Sequence, residues 1–329
     1  MSIKKWLIII LVLTIILPIT LSGSAATEIT WSSVPIGSSA YMLLSAIGAV
    51  LNTHEPSLKI TVQPTGGSME NPRLMRDGVV DVCHTTMGYN AFHGLADFKE
   101  DGPLEDLMFL FTLYENEVFF VTKADSDIYT IEDLAGKNVS FVSFGSAARS
   151  WSQVILEAYG VLDKVTPQYP GTADMFDMLN EGAIDATMTY SSGNIPSPVL
   201  YQADTTMKLR FLVLDRSLLE KALEKYSWYG IGSITADTLN CIDEDMLTLA
   251  DYSSQYADSR MSEEVAYKII KGIYENNNEI ATYHELGKAL KLEKALDGCH
   301  PDTPVHPGAA KYYKEMGVWR ENLKVGTLK

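Results

Sequence analysis

The chain has 329 residues, 46% of them hydrophobic, with 26 basic against 42 acidic side chains and a formal net charge of −16. That length and apolar content allow a large buried core, in two domains rather than one. The acidic balance excludes nucleic acid as a partner and gains nothing from anionic lipid. It also makes a poor long-range attractor for an anion, so an anionic solute has to be captured locally, by helix N-termini and one or two placed cations.

The chain opens on Lys4 and Lys5, an apolar run over 6–17, then Pro18 and the small residues Ser22, Gly23, Ser24, Ala25 and Ala26. A positive start, a short apolar core and a small-residue site describe a cleaved secretory signal over 1–26, with an uncleaved membrane anchor as the other reading. Without Lys4 and Lys5, 24 basic residues face 42 acidic ones, a net of −18. The expected location is therefore beyond the cytoplasmic membrane, periplasmic or at the cell surface.

Further along, Ile29, Thr30, Trp31 and Val34 suit a strand, and Gly37-Ser38-Ser39 a loop. Residues 41–52 suit a helix with Leu43, Leu44, Ile47, Val50 and Leu51 on one face. The plan then repeats: a strand over 138–142, a loop at Gly145-Ser146, and a helix over 151–159 stopped by Gly160. Each unit closes on the same phrase, Asp77-Gly78-Val79-Val80-Asp81-Val82 and Glu181-Gly182-Ala183-Ile184-Asp185-Ala186. In both, an amphipathic helix (71–76, 173–180) stops at a glycine that supplies the positive φ of a helix end, and a strand follows through an aspartate.

Alternating strands and helices predict an α/β fold of two lobes with largely parallel sheets, a clamshell holding one solute between strand-to-helix loops. Residues 27–120 with 233–329 are expected to form lobe I, and 121–232 lobe II. Val118-Phe119-Phe120-Val121 suits a crossing strand, and 228–234 a return, with Gly230 and Gly232 as hinge points. The segments 246–256, 262–276 and 284–296 read as helical, giving a mostly helical tail packed on the first lobe.

Cys83, Cys241 and Cys299 are an odd set; export permits one disulfide, Cys241 with Cys299 if both lie in the C-terminal part. No CxxC spacing occurs and the six histidines are scattered, so no metal is expected. No G-x-S-x-G or H-E-x-x-H phrase exists, so no enzymatic activity and no cofactor are expected.

Gln63-Pro64-Thr65-Gly66-Gly67-Ser68-Met69-Glu70-Asn71, running on to Asp81, resembles the TAXI-type solute-binding subunits of TRAP transporters. Phe144-Gly145-Ser146, Ile155 to Gly160, Gly182 to Ala186 with Pro196, and His306-Pro307-Gly308-Ala309 with Tyr312-Tyr313 add to the likeness. The resemblance implies a type II periplasmic-binding-protein fold and TRAP permease subunits as membrane partners. It also implies a glutamate- or glutamine-like amino acid or other small carboxylate as solute. Delivery by an ion-driven transporter needs no ATP site, and no G-x-x-x-x-G-K-[ST] phrase is present. The other reading keeps the fold and assigns an ABC importer or a sensor. The chain is taken as a monomer.

This sequence departs from the family at the expected ligand loops: Ser38-Ser39-Ala40-Tyr41 keeps one tyrosine of a usual pair, and Gly145-Ser146-Ala147-Ala148 loses a glycine and a hydroxyl. Cys83 to Met87 also differs.

Several residues are candidate contacts. Ser38 and Ser39 start a helix, where serine also serves simply as a cap. Gly67 and Ser68 would let backbone N–H groups approach an anion, with Glu70 and Asn71 structural. Ser146 and Arg149 belong to the second loop and helix; a cation in a first turn opposes the helix dipole, a conflict a bound carboxylate would remove. Tyr41, Tyr190, Thr85 and Thr86 complete the set, and Trp151 reads as core.

Overall fold

The computed structural model describes residues 26–142 and 147–329; the signal-like segment and Ser146 lie outside them. In chain order the first half begins with β1 (Thr27–Ser32), α1 (Ser39–His54), β2 (Leu58–Gln63), α2 (Asn71–Arg76), β3 (Val82–Thr85) and α3 (Gly88–His93). β4 (Leu107–Lys123) leads to β5 (Asn138–Ser140), α4 (Ala147–Ala158), β6 (Thr166–Gln168), α5 (Met175–Glu181), β7 (Ala186–Ser192) and β8 (Ile195–Pro196). Then come α6 (Pro198–Thr206), β9 (Leu209–Phe211), α7 (Arg216–Leu223), β10 (Gly230–Ile234) and β11 (Met246–Asp258). The chain closes with α8 (Glu263–Glu275), α9 (Asn277–Tyr283) and α10 (Pro307–Glu315).

The sheet runs β2-β1-β3-β11-β4-β7-β5-β6, with β10 beside β11. β2, β1 and β3 are parallel, as are β7, β5 and β6; β4 and β11 run antiparallel to each other, β11 also to β3 and β4 also to β7. Two parallel α/β units are thus joined through two long strands. One hydrophobic core holds Trp31, Leu43, Ile47, Phe109, Ile269 and Tyr313, and a second holds Phe119, Val139, Ile155, Leu179, Met188 and Leu249. β4 enters the first core through Leu107 to Tyr114 and the second through Val118 to Val121; β11 gives Leu249 to the second, Tyr256 and Ala257 to the first. This is the α/β periplasmic-binding-protein architecture.

The internal echo has a structural cause. Gly78 and Gly182 stand at the ends of α2 and α5 with φ of 72° and 77°, a conformation that costs a residue with a Cβ about 1–2 kcal/mol. The aspartate three residues later then clamps the neighbouring strand. Asp81 Oδ2 accepts the Thr30 N–H at 2.8 Å while its own N–H donates to the Thr30 carbonyl at 2.8 Å. Asp185 does the same with Asn138, at 2.7 and 2.8 Å. Each clamp sets the register of one parallel unit.

Three expectations are corrected. Residues 246–256 are strand, not helix, and this strand makes the return crossing; β10 only flanks it. β11 is buried on both faces along most of its length, which erases the alternation that marks a half-exposed strand. All three cysteines are free, with Cys83 and Cys299 buried. Cys241 packs against the second core while Cys299 belongs to the first, so the two are held on different units.

Candidate functional site

The carboxyl ends of β1, β3 and β7 and the loops after them converge on a cavity of about 500 Å³, where ligands of open α/β sheets sit. The first unit lines it with Ser38, Ser39, Gly67, Ser68 and Thr86, and the second with Tyr190, Trp151, Ala148, Val142 and Ser197. The floor is the mid-section of the crossing strands, Asn116 and Ser253, both about 3% exposed. Because side chains alternate along a strand, the intervening Glu115, Glu117 and Tyr252 face a separate cavity of about 700 Å³ on the other side of the sheet. The two cavities border each other at Tyr114, Ile195 and Leu286.

Asn71 builds the first wall. It is fully buried, and its Nδ2 donates to the Ser33 carbonyl at 2.6 Å and the His84 carbonyl at 2.7 Å, tying the ends of β1 and β3 to the start of α2. Ser38 caps α1: its Oγ accepts the Tyr41 N–H at 3.3 Å and donates to the Pro35 carbonyl at 2.8 Å. Ser68 Oγ accepts the Thr86 N–H at 3.1 Å.

The Gly66-Gly67 turn already has acceptors of its own. The Gly66 N–H donates to Glu70 Oε2 at 2.5 Å and the Gly67 N–H to Thr65 Oγ1 at 3.2 Å.

His84 lies at the base of this wall. Gln255 Oε1 accepts the Trp31 indole N–H at 2.7 Å, so its amide nitrogen faces His84 Nδ1, 2.7 Å away. Nδ1 is then the acceptor and the proton sits on Nε2. Burial pulls this imidazole down to about 4, so it is neutral at pH 7.

On the second unit, the Trp151 indole N–H donates to Asp251 Oδ2 at 2.7 Å, and its ring meets Tyr190 edge-on at 5.2 Å. Asp251 is 2% exposed. Burial pushes its carboxyl up to about 7, against the pull of the Trp151 and Tyr252 N–H groups and the Thr86 hydroxyl. The acid thus joins the floor strand to both walls. Val142, at the end of the second wall's strand, has a φ of 59°, rare for a β-branched residue.

Of the sequence candidates, Ser38, Ser39, Gly67, Ser68, Thr86 and Tyr190 come together at the cavity. Thr85 does not reach it: fully buried, its hydroxyl donates to the Ser68 carbonyl at 2.8 Å and accepts the Met87 N–H at 2.9 Å, holding the loop from beneath. Tyr41 and Arg149, both half-buried, stand in the first turns of α1 and α4 but do not line the cavity. Trp151, read as core, belongs to the second core and lines the cleft as well. Asn116, Ser253 and Asp251 went unnoticed because they sit on strands whose crossing role only the fold reveals; the one signal was an uncommon run of polar residues, 251–255, inside an otherwise apolar strand.

A cleft between two α/β units that share crossing strands defines the periplasmic-binding-protein class. The chain belongs to the NMT1-like family, whose profile matches residues 33–317. Among solved structures, XAC2383 from Xanthomonas citri bound to ATP aligns with a TM-score of 0.50 at 9% identity, over 80% of this chain and 89% of that one; this likeness shows the fold. The alkanesulfonate-binding protein SsuA from Xanthomonas axonopodis pv. citri bound to MOPS aligns at 0.48 and 14%, over 92% and 97%. A putative L-cystine ABC transporter from Listeria monocytogenes gives 0.48 and 14%, over 82% and 98%.

Proposed function

We propose that the chain is the extracytoplasmic solute-binding component of an importer, holding one small organic solute in the cleft and presenting it to a membrane permease, without catalysis. The observation that carries this reading is the 500 Å³ cavity walled by strand-to-helix loops from both units and floored by the strands that join them. Loss of solvent between the walls as they close around a solute supplies the binding energy, and the closed form is what a permease distinguishes. In this proposal the two cores are the two lobes, the second drawing on residues from Val118 to Leu249, and Ser38, Ser39, Gly67, Ser68, Thr86 and Tyr190 touch the solute.

The importer is the finer part of the reading. The phrases around Gly66 and Gly308 support a TAXI-type subunit of a TRAP transporter. Solved structures of this fold whose names include an ABC transporter, such as the putative L-cystine ABC transporter from Listeria monocytogenes, support the ABC-type alternative. Uptake into membrane vesicles separates the two: ATP dependence supports the ABC reading, dependence on an ion gradient the TRAP reading.

Solution scattering tests the binding reading. The chain from Thr27 onward should become more compact, and melt at higher temperature, on adding the low-molecular-weight fraction of yeast extract. An unchanged radius and melting temperature would refute it.

A further inference from the structure

We infer that the 700 Å³ cavity behind the crossing strands is a second binding site, for a small zwitterion whose ammonium meets Glu115 and Glu117 and whose carboxylate meets Lys291 and Lys294. Charge is sorted there by depth. Glu115 and Glu117 project from β4 at the floor, Glu117 only 2% exposed, whereas Lys291 and Lys294, between α9 and α10, are exposed at the mouth. Other charged side chains that line the cavity are already answered within the chain. Glu285 pairs with Lys288 at 3.2 Å, Arg216 with Glu220 at 3.8 Å, and Asp297 with Arg320. The Glu115 carboxylate and the ammonium groups of Lys291 and Lys294 have no hydrogen bond or ion pair among the described residues. Lys294 is near enough for its charge to act on both glutamates, yet it closes an ion pair with neither. Acid and base thus face each other across a gap that the protein leaves open.

The acid end of the gap is built for its side chains. β10 runs beside it with glycine at 230 and 232, the two positions expected as hinges. Neither has a positive φ, so what they supply is room. A Cβ at Gly232 would lie 2.1 Å from Glu115 Oε1, and one at Gly230 would lie 2.7 Å from the Tyr252 hydroxyl. Glu117 is fixed from the side: its Oε2 accepts the Ser191 hydroxyl at 2.5 Å and the Asn194 N–H at 3.0 Å. No group of three carboxylate, histidine or cysteine side chains among the described residues could hold a metal ion. The cation that suits two carboxylates is therefore an organic ammonium, which needs acceptors rather than a coordination shell. Burial, and then the neighbouring Glu117, raise the Glu115 carboxyl to about 7 against the pull of Lys294. An ammonium at the floor favours its charged form, and the two lysines answer the carboxylate left at the mouth. A plain amine or a plain acid would satisfy only one end.

Titration calorimetry of the purified protein with each standard L-amino acid and with β-alanine tests the site. At least one should bind saturably, at least tenfold more tightly than methylammonium or acetate. Its affinity should rise about tenfold from pH 6 to pH 8 as Glu115 ionises. Glu117, raised in the same direction, adds to this rise, and Tyr252, pushed up by burial, stays protonated; Lys294 and Asp297 are the other charged groups facing Glu115. Glu115→Gln should weaken binding at least tenfold and flatten the rise with pH. Lys291→Ala combined with Lys294→Ala should weaken it as much and keep the rise.

Absence of binding by every probe overturns the inference. Binding that both variants retain places the zwitterion elsewhere and overturns it too, and loss in only one of the two leaves a simple cation or a simple anion as the ligand, which also overturns it. The comparison with methylammonium and acetate needs no variant: equal binding of either one refutes a zwitterion site even if a variant fails to fold.

Discussion

Asp251 gives a quantitative test of the cleft floor. Its carboxyl titrates near 7 in the folded chain, against about 4 for an aspartate in water. Below pH 4 both the folded and unfolded states hold the proton. Between 4 and 7 the unfolded chain releases it while the folded chain keeps it, so stability falls as pH rises; above 7 both are ionised and the loss is complete. At about 1.4 kcal/mol per tenfold difference in proton affinity, the loss is about 4 kcal/mol.

Asp251→Asn removes this titration. An asparagine has one carbonyl oxygen to offer where the carboxylate accepts the Trp151 indole through Oδ2 and the Tyr252 N–H through Oδ1, so one hydrogen bond is lost, about 1 kcal/mol. The variant should therefore be less stable than wild type by about 1 kcal/mol at pH 4 and more stable by about 3 kcal/mol at pH 8. Urea unfolding followed by far-ultraviolet circular dichroism across that range measures the difference. Burial also raises Glu115, to about 7, and Glu117, but both titrate in the two proteins alike and cancel. A difference that stays constant to within about 1 kcal/mol from pH 4 to 8 would refute the account of Asp251 as a buried acid.

Other outcomes follow from the same contacts. Asp81→Ala and Asp185→Ala should each cost about 1–2 kcal/mol in denaturant unfolding and add in the double variant, since the two clamps belong to different cores; strong non-additivity would contradict that separation. Gly308→Ala would place a Cβ 2.2 Å from the Glu263 carbonyl and 2.7 Å from the Tyr267 nitrogen, forcing α10 off α8. A loss of about 1–3 kcal/mol is expected, and a neutral result would refute the close backbone approach. Thiol titration in denaturant without reductant should count all three cysteines, and fewer would restore a disulfide.

Much of the fold was legible because it repeats. The two glycine-to-aspartate phrases marked real helix ends and real strand clamps, since a positive φ and a register-setting carboxylate each need a particular residue. The phrase at His306 to Ala309 was legible as a pattern, and its chemistry is now plain. His306 Nδ1 accepts the Gly308 N–H at 3.2 Å and its Nε2 lies 3.0 Å from the Met261 carbonyl, while Gly308 lets two helices touch. β11 was illegible because a strand paired on both sides and covered on both faces loses its period.

The site was half legible. Hydroxyls and glycines at strand-to-helix loops announce a cleft, but which of their hydrogen bonds are already spent is a matter of three-dimensional neighbours. Thr85 and Gly67 look alike as candidates in the sequence; one is consumed by Ser68 and Met87, the other by Thr65. Trp151 was assigned to core on the spacing of a helical face, and nothing in that spacing reveals that its indole reaches an acid a hundred residues away.

The two crossing strands also dictate an order of assembly. β1, α1, β2 and β3 come early in the chain, yet β3 pairs with β11, which begins only at Met246, and α1 packs against α8 and α9, which come later still. The second core, by contrast, draws on residues from Val118 to Leu249 and has all its parts sooner. Leu43, Leu44 and Ile47 therefore remain without their final cover until most of the chain exists, the interval in which an unfinished domain is open to aggregation or to a holding chaperone. The earlier of the two units is the one whose packing is completed last.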